Sequence, residues 1–251
     1  TVKGDMTGPT SAQIVLRDPS VEVAIMETAR GGLLRSGLGY RKSDVAACLN
    51  VSADHLGLRG INTVEQLAEI KRTVVEVAQD TAVLNADDEL CLKMADYTEA
   101  KNLCYVTLNS NHELVKQHIK NGGRALVLES TMQGDLISIY DNGVHLPLVL
   151  THLIPATMEG KAMHNVQNAM FAAALAFSMG RKLDNIVHGL QTFDTSYFQA
   201  PGRMNIYDEH DFKVILDYAH NPAAVDMMSQ FAKKLDVKGR RICVLAAPGE
   251  R

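Results

Sequence analysis

From residue 21 onward, short apolar runs alternate with stretches whose apolar residues recur at helical spacing. That alternation is the pattern of an α/β fold with a mostly parallel sheet flanked by helices. The apolar runs predict strands at 21–27, 44–50, 81–85, 103–107, 212–217 and 241–246, and the helical spacing predicts helices at 63–79, 87–97, 163–179, 184–192 and 222–235. Between 122 and 150 the runs shorten and become β-rich, broken by Gly134, Asp141-Asn142-Gly143 and Pro147. This predicts a meander of hairpins built around an Asn-Gly turn. Pro201-Gly202 punctuates the chain and divides a first domain, 1–201, from 202–251. The fifty residues after that break suffice for a strand, a helix and another strand, but not for an independent α/β domain. The second domain therefore reads as cut short.

Composition narrows the function classes. A chain of 251 residues, 46% apolar, can bury one large core or two modest ones. Its net charge of −4 lacks the basic excess that a general nucleic-acid or membrane surface needs, so small-molecule chemistry is favoured. No apolar run approaches the roughly 20 residues of a membrane helix. Cys48, Cys91, Cys104 and Cys243 are far apart, with no CxxC pair and no signal-like start. They read as buried thiols of a cytoplasmic protein.

Candidate chemistry gathers at predicted strand ends, where ligands collect in open α/β sheets. Asp217 closes the apolar run 212–216 and opens Asp217-Tyr218-Ala219-His220-Asn221-Pro222; an Asx-type turn is the plain alternative. Glu27 ends the run 21–26, while Asp54 and His55 lie just past the strand at 44–50. If those strands are neighbours, Glu27 and His55 meet at one edge, where Mg²⁺ could sit between them and a nucleotide's phosphates. An imidazole is an unusual magnesium ligand, and a helix-capping Asp54 with an ordinary half-buried His55 is the alternative. Lys71 shares a helix face with Val64, Leu67, Ala68, Val74, Val75 and Ala78. It either snorkels to water or is a desolvated, nucleophilic amine. Asn165 and Asn168 lie three apart and share one face of an Ala-rich helix, unless one of them is simply its cap. Arg30, Arg35, Arg41 and Lys42 stand among Gly31, Gly32, Gly37 and Gly39 with no acid between 28 and 43, which suits an anionic ligand or a solvated loop. No GxxxxGK[ST] phosphate loop is present, since Gly160-Lys161 is followed by Ala162 and has no glycine five residues before Gly160.

PGRM at 201–204 followed by DYAHNP at 217–222 resembles the Mur ligase superfamily, the ATP-dependent amide ligases of cell-wall peptide and folate polyglutamate synthesis. ETARGGLLRSGLG at 27–39, NVSADHLGLRGI at 50–61, VLNADD at 83–88 and APGER at 247–251 strengthen the resemblance. They are similar to a branch that joins arginine to the β-carboxylate of aspartate in the poly-aspartate backbone of cyanophycin. The resemblance implies a Mur ligase-type central ATPase domain over 1–201 and the start of a smaller Rossmann-like C-terminal domain over 202–251. It implies ATP and Mg²⁺ as cofactors, with Glu27, His55 and a carbamylated Lys71 as metal positions and His55 and Lys71 as catalytic residues. It implies that Asn168 contacts adenine with Asn165 beside it, that Arg203 reaches phosphates or ribose, that Asp217 takes the ribose hydroxyls and that His220 lies close by. The implied partners are the cyanophycin chain, arginine, and phosphate-loop and ATP-grasp segments of the same polypeptide, in a homo-oligomer. An isolated stretch is then expected to bind ATP weakly and to catalyse nothing measurable. Other readings are a different amino-acid ligase of the superfamily, and a nucleotide-sensing or scaffolding domain without catalysis.

Overall fold

The computed structural model describes residues 6–54 and 56–246. The chain divides between Tyr105 and Val106 into two compact units. The fold class is α/β, as the alternation predicts.

The first unit carries helices α1 (Pro9–Arg17), α2 (Arg30–Ser36), α3 (Val64–Glu76) and α4 (Glu89–Leu92) with strands β1 (Ser43–Cys48), β2 (Ala78–Asn85) and β3 (Asn102–Thr107), which reaches the division. Strands β1 and β2 pair in parallel, with Ala46 opposite Ala82 and Cys48 opposite Leu84. Ala82, Val83 and Leu84 are fully buried, the continuous apolar run expected of a strand covered on both faces. Helix α3 starts at a capping box: Thr63 accepts from the Gln66 amide, and the Gln66 side chain accepts from the Thr63 amide. Two of the orphan donors of its first turn are thereby satisfied. Leu67, Ala68 and Val75 then form its buried stripe.

The second unit contains α5 (Glu113–Lys120), the strands β4 (Arg124–Thr131), β5 (Gly134–Asp141) and β6 (Val144–Leu150), helices α6 (Met163–Ser178) and α7 (Leu183–Thr192), a ribbon of β7 (Asn205–Tyr207) and β8 (Val214–Leu216), and α8 (Pro222–Lys234). The predicted meander is present, with β4–β5 and β5–β6 both antiparallel. Its second turn places Asn142 and Gly143 at φ 50° and 78°, the conformation that makes Asn-Gly the preferred hairpin pair. One face of the meander carries a carboxylate network. Glu129 accepts from Ser138 Oγ and Tyr140 OH at 2.5 Å each, and its Oε2 lies 3.1 Å from His145 Nε2. Burial works to raise the Glu129 pKa, but the three hydrogen bonds outweigh it and hold the carboxyl below its usual range. Burial and the Glu129 charge push the Tyr140 phenol up to about 12.

Some predicted elements do not form. The stretches 21–27 and 241–246 form no strand, and Ile25 and Val244 are 94% and 89% exposed. A strand exists through its neighbour's hydrogen bonds, and among the described residues none pairs with either stretch. The predicted helix 87–97 is one turn of α-helix followed by a 3₁₀ turn at Lys93–Asp96. The glycine-rich segment after Thr28 instead forms α2, which the paired Gly31-Gly32 disguises. Gly39 has a positive φ of 78° and lies so close to α1 that a Cβ would stand 2.4 Å from the Pro9 carbonyl oxygen, so only glycine fits.

The Glu129 network yields a stability prediction. Glu129→Ala strands the buried Ser138 hydroxyl and the Tyr140 phenol and is expected to cost about 1–3 kcal/mol in urea unfolding at neutral pH. Because the folded pKa is depressed, this contribution is present above the unfolded carboxyl value and is lost as pH falls through the folded one. The difference between wild type and variant should therefore shrink on acidification through the carboxylate range.

Candidate functional site

In the first unit, chemistry-bearing side chains converge on the residues that leave β1. Lys71, half-buried on α3, donates from Nζ to the Asn50 carbonyl at 3.0 Å. Asn85, buried at the end of β2, donates to the Leu49 carbonyl at 2.7 Å and accepts from the Asp87 amide at 3.0 Å. Asp88 accepts from the Val51 amide at 2.7 Å with one oxygen and from the Leu90 and Cys91 amides at 2.9 and 3.0 Å with the other, capping α4. Residues 49–51 are thus pinned by three side chains, from α3, the end of β2 and the cap of α4. Lys71 is half-buried on the helix whose buried stripe is Leu67, Ala68 and Val75, with its ammonium on a backbone carbonyl at the strand end.

The expected metal positions fare unequally. His55 lies outside the described residues. Glu27 is exposed and follows an unpaired stretch, so the premise that it ends a buried strand beside β1 is corrected. Asp54 starts no helix, because the cap of α3 is Thr63. Among the described residues no three His, Cys, Asp or Glu side chains cluster to hold a metal. Of the basic residues, Arg30 donates to the Leu58 carbonyl at 2.8 Å and Arg35 to the Gly31 carbonyl at 3.0 Å, while Arg41 and Lys42 are exposed.

In the second unit the expected nucleotide residues gather around Met204. Its backbone is left-handed at φ 48° and its side chain is 1% exposed. Its amide donates to Asp217 Oδ2 at 3.0 Å. Its sulfur lies 2.9 Å from His164 Nε2 and 3.3 Å from Asn165 Nδ2. Asn165 also donates to the Ala156 carbonyl at 2.7 Å, and Asn168 Nδ2 lies 3.3 Å from Asn165 Oδ1. The N-cap of α6 is Ala162, without a side-chain cap bond, so neither Asn is the cap. Asn168 is exposed and Asn165 half-buried, so Asn168 is the more open of the two amides. Arg203 is exposed, with its guanidinium carbon 5.4 Å from the Tyr218 ring centre. His220 Nδ1 lies 2.9 Å from the Tyr218 carbonyl, and Asn221 caps α8 by accepting from the Ala224 amide at 2.9 Å. The six-residue motif at 217–222 is therefore a strand-end carboxylate followed by a helix cap, and its Pro222 occupies the first helical position where proline fits.

Sequence reasoning missed Met204, His164, Asn85 and Asp88 as positioning residues. A left-handed methionine has no pattern signature. Asp88 had one: a carboxylate two and three residues ahead of the amides it caps, just past a strand. Burial depresses the His164 pKa against the opposing pull of Asp217, leaving the ring neutral with Nε2 turned to the Met204 sulfur.

The chain belongs to the Mur ligase family: the Mur ligase middle domain matches residues 6–176, and the Mur ligase, glutamate ligase domain matches 202–251. Among individual proteins it is similar to the cyanophycin synthetase of Nostoc sp., with 44% identity over 250 residues, covering 99% of this chain and 27% of that protein. The chain thus spans about a quarter of that relative's length. Its fold resembles MurF from Acinetobacter baumannii, with a TM-score of 0.55 at 21% identity over 85% of this chain and 42% of the other. It also resembles E. coli FolC, solved with DHPP and ADP, with a TM-score of 0.52 at 21% identity over 79% of this chain and 40% of the other.

The His164 environment carries a pH prediction. A histidine whose folded pKa is lowered binds its proton more readily when unfolded, so stability is lost as pH falls through the unfolded value of about 6.5. Urea unfolding of the wild type should weaken between neutral pH and the carboxylate range, and His164→Gln should flatten that slope. An unchanged slope would assign the loss to other groups.

Proposed function

We propose that this chain is part of an ATP-dependent amide ligase that adds arginine to the β-carboxylate of aspartate in cyanophycin. The observation that carries the reading is the 44% identity to a cyanophycin synthetase across 99% of the chain. The match takes in the segments that contain Lys71, Asn168, Arg203 and Asp217. In this reading residues 1–201 form the central domain and 202–251 the start of the C-terminal one. The phosphate-binding loop and an ATP-grasp part belong to other segments of the same polypeptide, which works in the cytoplasm as a homo-oligomer.

The polymer's aspartate carboxylate attacks the γ-phosphate of ATP, giving an acyl phosphate and ADP. The arginine amine then attacks the acyl carbon, phosphate leaves, and the amide bond is complete. Catalysis of this kind rests on positioning and on charge stabilisation. Asn168 suits adenine because an amide both donates and accepts. Asp217 holds the Met204 amide with Oδ2, and in this reading its carboxylate takes the ribose hydroxyls, with Arg203, Asn165 and His220 completing the nucleotide site. Arg30, Arg35, Arg41 and Lys42 give the segment after Thr28 the charge to attract an acidic polymer end.

Glu27, His55 and Lys71 would hold Mg²⁺, which supplies neutralisation of phosphate charge when bound. An ammonium is no ligand, so Lys71 fits this set only as a carbamate, whose oxygens are the hard donors magnesium prefers. Its half-buried place beside the Asn50 carbonyl puts it at the strand end that leads to His55.

Two measurements test the reading. The full-length polypeptide should release ADP in the presence of arginine, aspartate and a cyanophycin primer, and ADP release should drop when arginine is omitted from aspartate-terminated primer. ADP release indifferent to arginine but dependent on another amino acid would move the protein to a different ligase of the superfamily. Lys71→Arg should lower ligation by on the order of 100-fold or more despite keeping the positive charge, because arginine cannot form the carbamate. Near-normal activity of that variant would leave Lys71 as a snorkelling core residue.

A further inference from the structure

Cys48 ends β1 and Cys91 lies in α4, 43 positions apart in sequence, yet their sulfurs are 3.6 Å apart with the Cys91 thiol donating to Cys48. Both are free, and they are 6% and 0% exposed. Of the remaining two cysteines, Cys104 is buried and Cys243 is exposed. Two buried thiols can be mere apolar packing, and most buried cysteines are. Here their place argues for more. Cys91 sits on the turn whose amide Asp88 caps, and the other oxygen of Asp88 holds Val51. Cys48 lies two residues before Asn50, whose carbonyl takes the Lys71 ammonium. A bond between the sulfurs would tie the one segment that positions Lys71 to the one helical turn that braces it.

We propose that Cys48 and Cys91 form a dithiol switch whose oxidation to a disulfide turns the ligase down. The bond requires the sulfurs to close to about 2 Å, a movement of about 1.5 Å that the end of β1 and α4 must absorb. With a peroxide as oxidant the chemistry balances. The Cys48 sulfur attacks one peroxide oxygen, the O–O bond breaks, and Cys48 sulfenic acid and one water form. The Cys91 sulfur then attacks the Cys48 sulfur, the S–O bond breaks, and the hydroxyl leaves with the Cys91 proton as a second water. Two thiols lose two electrons and two protons, and the peroxide takes up both. Because both sulfurs are buried, the reaction proceeds through local opening of α4, a single helical turn.

The test uses the full-length polypeptide treated with hydrogen peroxide, alkylated under denaturing conditions, digested and weighed. The expected result is a Cys48–Cys91 cross-linked peptide, lighter by two hydrogens and abolished by dithiothreitol. Ligation is expected to fall on the order of tenfold, the scale of a misplaced catalytic group, and to return on reduction. Cys91→Ala should keep its activity under peroxide, and Cys91→Val serves if that variant fails to fold. Recovery of both cysteines as alkylated thiols, or their cross-linking to Cys104 or Cys243, would overturn the proposal. So would a disulfide that leaves ligation unchanged. The activity arm rests on the proposed ligase function, whereas the cross-link is read by mass alone, so failure of the one is distinguishable from failure of the other.

Discussion

A strand that ends leaves backbone amides and carbonyls without ladder partners, and side chains near the end can supply them. The same demand is met in each of the two units. At the end of β1, the Leu49 carbonyl is met by Asn85, the Asn50 carbonyl by Lys71 and the Val51 amide by Asp88. At the end of β8, Asp217 meets the Met204 amide. Side chains of the kind that bind phosphate, ribose and metal are thus concentrated at strand ends partly because the backbone there demands polar partners.

Within the second unit, the same economy makes Met204 a joint. Its left-handed backbone lets one residue offer its amide to Asp217 and its sulfur to His164 and Asn165. Its side chain joins Ala162 and Phe231 in a small core with Ile215, Met228 and Leu235 packed against it. The amide-bearing face of α6, through the Met204 sulfur, and the strand-end carboxylate, through the Met204 amide, are therefore fixed to one buried residue, and a shift of either is felt by the other. Softness suits the position, since a thioether accepts weakly from two donors and still fills apolar space.

Much of this was legible in the sequence because the signals are local. The apolar runs at 44–50 and 81–85 became β1 and β2, and Asn142-Gly143 closed the hairpin it predicts. Periodicity cannot report a neighbour, and so 21–27 and 241–246 read as strands although nothing among the described residues pairs with them. The same limit bears on Glu27, which was read as closing a strand that does not form. Long-range partners were invisible for a related reason: the contact of Asp88 with Val51 and that of Cys91 with Cys48 span 37 and 43 positions, and no spacing rule reaches so far.

The central claim is that the polymer's carboxylate is activated by phosphoryl transfer before the amine attacks. It is tested most directly by labelling the primer's aspartate carboxylate with ¹⁸O and following turnover by the full-length polypeptide with ATP and arginine. The account predicts that each amide formed delivers one ¹⁸O into the released phosphate, because a carboxylate oxygen bridges to phosphorus and leaves with it. Phosphate free of label, with the ¹⁸O kept in the polymer or found in AMP, would contradict it.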